Sequence, residues 1–218
     1  MIKHHPSDET LFRYANGSLE PGPRIVVAVH VGGCATCASR IGEFEALGGS
    51  LLHDSEWDQM DAGALDSVMA RIDADEADHT RAAAPGRRLP RADVGIRLPQ
   101  VLDDCGIGPW RWIGPGVRWS RVTLPDDDSA NVMLLKVTAG RRLPEHTHVG
   151  LEYTHVLKGA FHDARGRYGP GDLDEADDEV QHQPIVDKEG ECICIAAVEG
   201  RTKLRGLFGR LVQPLFGG

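Results

Sequence analysis

The sequence predicts an α+β protein of two domains, a small all-α head followed by an all-β sandwich or barrel. Three observations carry this. Apolar residues recur at helical spacing through roughly the first 80 positions. Beyond about residue 95 the pattern changes to short strands split by Gly, Pro and Asp. Between them lies "TRAAAPGRRLPRADVG", small, basic and interrupted by Pro and Gly, which reads as a linker. The expected boundaries are therefore 1–80 for the head, 81–95 for the linker and 96–218 for the β domain with a C-terminal helix.

Four helices are expected in the head. "SDETLFRYANG" opens with Ser7 as an N-cap, places acidic residues in the first turn and ends at Asn16-Gly17. "PGPRIVVAVHVGG" has Pro23 in its first turn, and Gly32-Gly33 stops it. A third helix runs from Ala35 to Leu47, with Ile41, Phe44 and Leu47 on one side. The fourth, "DAGALDSVMARIDADEADH", carries Leu65, Val68, Met69 and Ile72 as an i, i+3, i+4, i+7 stripe. Downstream, "GVRWSRVTL", "NVMLLKVTAG", "LEYTHVLKG" and "ECICIAAV" read as strands. The final "RTKLRGLFGRLVQPLFGG" returns to helical spacing with four basic and no acidic residues. It reads as cover for an apolar face of the β domain, the alternatives being a membrane surface or the acidic fourth helix.

Composition narrows the function. The 218 residues carry a formal net charge of -9, which argues against direct nucleic-acid binding because phosphate contacts need a basic surface. No apolar run approaches the ~20 residues of a membrane-spanning helix. "MIKHHPSDET" lacks the apolar core of a signal peptide, so a cytoplasmic protein with reduced thiols is expected. Cysteines in that setting more often bind metal or do redox chemistry than form disulfides. The five are Cys34, Cys37, Cys105, Cys192 and Cys194.

Two of them stand in "VHVGGCATCASR". Gly32-Gly33 breaks the helix that carries His30, and Cys34 and Cys37 open the next. A CxxC at a helix start directs both sulfurs to one point, and the helix dipole favours the thiolate. With His30 this makes three ligands, and a closed tetrahedral zinc site needs four. His5 or its neighbour His4 is the nearest candidate for the fourth. The alternatives are a redox pair or two buried thiols. A redox CxxC expects a preceding strand, and none is expected here. His53 and His79 read as surface residues.

"GRRLPEHTHVGLEYTHVLKG" holds a second candidate. His146, His148 and Glu152 share parity, so an extended strand projects them from one face. His182, after the turn "GPGD", supplies a further ligand from another strand. Three His and one Glu suit Fe, Mn, Ni, Cu or Zn. His155 and His162 fall out of step with this cluster and read as structural or exposed. Cys192 and Cys194 alternate on one strand face and read as packing, with a redox role as the alternative. Cys105 reads as inert.

The spacing G-x5-H-x-H-x3-E-x6-G from Gly140 to Gly159 resembles the first motif of the cupins, a family of jelly-roll barrels. "YGPGD" with His182 resembles the second motif loosely. The arrangement "H…HVGGCATC", with "HHPSDETL" before it and "LGGSLL" after, resembles the zinc-binding domain of ChrR-type anti-sigma factors. Helical zinc domain then cupin is the order of that family, so the resemblance covers essentially the whole chain. It implies a first zinc on His5, His30, Cys34 and Cys37, and a second on His146, His148, Glu152 and His182. It further implies that the head holds an extracytoplasmic-function sigma factor inactive, and that the cupin half releases it under a stress such as singlet oxygen. The acidic segment 53–79, with nine acidic residues and one arginine, offers such a partner an apolar stripe flanked by negative charge. A metal-dependent cupin enzyme, a dioxygenase or isomerase, is the main rival, and a metal-storage or metal-sensing protein the second.

Overall fold

A computed structural model of the chain describes residues 1–79, 89–144, 150–177, 180 and 182–199, with the side chains of 75–79 left out. The head forms α1 (Asp8–Ala15), α2 (Pro21–Val31), α3 (Ala35–His53) and α4 (Ala64–His79). Ser7 caps α1: its hydroxyl accepts from the Thr10 N–H at 3.2 Å, satisfying a donor that the helix leaves unpaired. Pro21 and Pro23 open α2, and Gly32 ends it. Cys34 stands at the N-cap of α3 in extended geometry.

One expectation changes here. The third helix runs past Leu47 to His53, through Gly48-Gly49. Both glycines stay within the helix, so the pair costs helix propensity without ending it. The stripe on α4 is not buried in the head: Leu65, Val68, Met69 and Ile72 are 48–68% exposed. Leu47, Leu51, Leu52, Trp57 and Met60, leading up to it, are exposed as well.

The rest is antiparallel β-structure. β1 (Gly106–Ile107), β2 (Arg111–Gly114), β3 (Val117–Thr123), β4 (Val132–Val137), β5 (Glu152–Lys158), β8 (Leu173–Ala176) and β10 (Cys192–Val198) form a large sheet ordered β1-β3-β4-β10-β5-β8, with β2 on β3. β6 (Phe161–His162), β7 (Arg167–Tyr168) and β9 (Ile185–Val186) form a small one ordered β7-β6-β9. Of the expected linker, 81–88 lie outside the described residues. Its other end is part of the β-structure: Ile107 N–H donates to Pro90 O and Ala92 N–H to Ile107 O, both at 2.8 Å, and Val94 is buried. The expected C-terminal helix lies outside the described residues. Gly140 and Gly159 punctuate as expected, with φ of +67° and +72°. A Cβ on Gly159 would run into the Glu191 carbonyl, so that turn demands glycine.

The strands alternate between two cores. One lies between the two sheets and includes Trp119, Met133, Val156, Phe161, Tyr168, Val186, Cys192 and Cys194. The other is shared with the head: Val26, Val27, Val29, Cys34 and Cys37 pack with Leu134, Tyr153, Ile195 and Ala197 on the opposite sheet face. A small helical head cannot bury a sufficient core alone. Here α2 lies on β5 and β10 and completes it. Among the described residues no helix is long and apolar enough to cross a membrane.

Candidate metal centre

The fold brings His5, His30, Cys34 and Cys37 together, with one ligand atom of each within 4.8 Å of all the others. His5 Nδ1 lies 3.4 Å from both sulfurs, and His30 Nε2 lies 3.3 Å from Cys37 Sγ. Bond lengths of about 2.0–2.3 Å put the edges of a tetrahedral zinc site at about 3.5 Å. The donor set therefore fits zinc in both chemistry and spacing.

Each ligand is placed by its element. Cys34 caps α3 and Cys37 lies in its first turn, where the helix dipole favours thiolate. Burial, and then the neighbouring Cys34, push the Cys37 thiol up to about 12. It is therefore protonated near neutrality, and a metal taking it as thiolate displaces that proton. His30, fully buried near the end of α2, is lowered from its ordinary range by desolvation. Its Nδ1 donates to the Gly171 carbonyl at 2.9 Å, which leaves Nε2 facing Cys37. The tandem histidines separate cleanly: His4 lies on the Tyr168 ring at 4.2 Å and His5 faces the sulfurs.

Segment 3–7, which carries His5, runs beside β8, the edge of the large sheet. Asp172 Oδ1 accepts from Lys3 N–H at 2.6 Å and His4 N–H at 3.0 Å. Leu173 N–H donates to His4 O at 3.1 Å, and Ser7 N–H donates to the Glu175 carboxylate at 3.2 Å. Burial opposes charge on Asp172, but the N–H groups of Lys3, Gly169 and His4 outweigh it and hold the carboxyl below its usual range. His155, on the opposite face of β5 from Val156, meets His30 edge-on at 5.7 Å between ring centres. Among the described residues its buried Nδ1 has no hydrogen-bond partner.

At the second candidate site, His146 and His148 lie outside the described residues. The other two expected ligands meet: His182 Nε2 is 3.6 Å from Glu152 Oε2. Three unexpected residues surround them. Arg165 donates to Asp163 Oδ2 at 2.9 Å, to Asp174 Oδ2 at 2.7 Å and to His182 Nδ1 at 3.2 Å. Asp163, Asp174 and His182 by themselves resemble a metal cluster. The guanidinium already neutralises that carboxylate pair; with Nδ1 accepting from Arg165, the neutral His182 ring carries its proton on Nε2, toward Glu152, and a metal at Nε2 requires the other tautomer and the loss of that Arg165 bond. Burial raises the Asp174 carboxyl to about 6, against the pull of Arg165. Cys192 and Cys194 are buried with sulfurs 3.5 Å apart, and Cys105 is buried, as packing residues would be. His162 is half-exposed and pairs with Asp187, and His53 is exposed.

Comparison with known proteins follows this geometry. Residues 100–199 match the family described as the ChrR cupin-like domain. The chain is 39% identical over 218 residues to the anti-sigma-E factor ChrR of Cereibacter sphaeroides, covering 99% of this chain and 98% of that protein. It is similar to a chain in the crystal structure of Rhodobacter sphaeroides SigE in complex with the anti-sigma ChrR. That match has a TM-score of 0.69 and 34% identity, over 91% of this chain and 100% of the other.

Proposed function

Because this chain belongs to the ChrR family of anti-sigma factors, we propose that it sequesters an extracytoplasmic-function sigma factor through its helical head. Membership makes it a regulatory protein rather than an enzyme. The observation that carries the binding reading is the apolar stripe Leu65, Val68, Met69 and Ile72, exposed along an acidic helix with nothing of its own packed over it among the described residues. Monomeric proteins rarely leave such a patch without a partner. A sigma factor's basic surfaces complement its charge.

In this reading zinc on His5, His30, Cys34 and Cys37 is structural. When bound it cross-links the chain start, the end of α2 and the start of α3, and supplies about 10–16 kcal/mol of binding free energy to folding. The chain's own residues orient it: the Gly171 carbonyl sets the His30 tautomer, and the α3 N-terminus favours the thiolates. The cupin half, residues 96–218, holds a second metal through His146, His148, Glu152 and His182. Zinc there rests on kinship, with Fe, Mn, Ni or Cu also suited to that shell. This half senses the stress, oxidative in kind, and the whole acts in the cytoplasm.

The test uses a purified extracytoplasmic-function sigma factor from the same organism. The zinc-loaded protein should bind it with nanomolar affinity and block transcription by its holoenzyme. Cys34→Ala or Cys37→Ala should abolish both. Nanomolar binding by a metal-free variant, or none by the zinc-loaded parent, contradicts the reading.

A further inference from the structure

We infer that Asp172 and the Gly171 carbonyl, both from the β half, are positioning groups of the head's metal centre. The inference rests on the metal reading above and goes beyond it, because it makes the centre a structure of both halves. Two of the four ligands are held from across the chain. His30 takes its ring orientation from a carbonyl 141 positions away. His5 sits on a segment fixed on one side by Asp172, through Lys3 and His4, and on the other by Glu175, through Ser7. Both Asp172 and His30 are buried, which limits how well water replaces the bonds made to them, whereas the Ser7–Glu175 contact is exposed. Groups that orient metal-bound imidazoles in this way typically govern metal affinity by about 10–100-fold.

The turn is itself anchored. Gly171 N–H donates to Val156 O and Val156 N–H to Asp172 O, at 2.9 and 3.0 Å, while Asp172 Oδ2 accepts from Gly169 N–H at 2.8 Å. The carboxylate thus ties the turn to itself with one oxygen and to the His5 segment with the other. Asp172 touches no sulfur and takes no part in ligation. Its effect passes through the backbone of Lys3 and His4.

The experiment loads the full-length protein with cobalt(II), whose thiolate absorption reports the Cys34–Cys37 site. Decay of that absorption after adding EDTA gives the rate of metal loss. Asp172→Ala should lose cobalt at least tenfold faster than the parent, and Asp172→Asn, which keeps one acceptor oxygen, by less. Glu175→Ala, at the partly exposed end of the segment, should also accelerate loss and carries the test if Asp172→Ala folds poorly. Asp187→Ala, which cuts the His162 and Arg167 contacts of the small sheet, should leave the rate unchanged. Folded Asp172 and Glu175 variants within twofold of the parent overturn the inference and leave the metal reading standing. A parent without thiolate–cobalt absorption overturns both.

Discussion

His155 shows how one side chain records the union of the two halves. Burial, and then the nearby His30, push its imidazole down to about 4 from 6.5. Between those values the unfolded chain binds a proton that the folded chain refuses. His155 therefore costs nothing above pH 6.5 and destabilises the fold as pH falls toward 4, by about 3 kcal/mol at full extent. The groups facing it are His30 from α2 and Asp172 from the turn. Asp174, whose folded carboxyl is raised, works with the opposite sign over part of the same range. The informative quantity is thus the difference from a variant. His155→Gln should flatten the loss of melting temperature between pH 6.5 and 4, and an unchanged slope would refute the assignment. Three members of the head's His/Cys cluster were legible in HxxxCxxC, because local spacing and a helix start determine where those atoms go. The choice of His5 over His4 came from the family resemblance and not from the residues' own spacing. It depends on which side of an extended segment faces Tyr168, and that ring is supplied from the other half of the chain. Asp172 escaped for the same reason: its partners are 168 and 169 positions away.

Among the elements, α4 carries the clearest functional burden. Its periodicity announced a helix, but periodicity cannot say what covers the stripe. Val68→Glu or Ile72→Glu should lower affinity for the sigma factor at least tenfold. Stability should move by no more than about 0.5 kcal/mol, since neither side chain is packed in the isolated protein. Calorimetry on the purified pair, with a thermal melt of each variant alone, separates these outcomes. A variant that binds like the parent would move the partner's footprint elsewhere. The strand elements were read well where Gly, Pro and Asp bounded them, as at β3, β4, β5 and β10. The extension of α3 was missed because a glycine pair lowers helix propensity without by itself setting a stop: Gly32-Gly33 ends α2 and Gly48-Gly49 does not end α3, though none of the four has a positive φ.

At the level of the molecule, the order of helical head and β domain was legible, and their shared core was not. The continuous apolar run of β10 is consistent with both of its faces being buried without saying that α2 covers one of them. That cover predicts joint unfolding. Val27→Ala, on the fully buried face of α2, should cost on the order of 2 kcal/mol through lost burial and a cavity. It should shift the helical and β signals together in a urea titration followed by circular dichroism and Trp fluorescence. Separate transitions would mean that the halves are thermodynamically independent. The same architecture settles a hazard common to antiparallel sheets. Among the described strands β8 pairs with β5 on one side only, and an open margin of that kind invites another chain to dock. Residues 3–7 lie along that margin, so the chain's opening stretch is also a selvedge that keeps the fabric from joining its neighbours. Trimming it would take His5 out of the His/Cys cluster and bare the hem at once, leaving the margin open to a second copy.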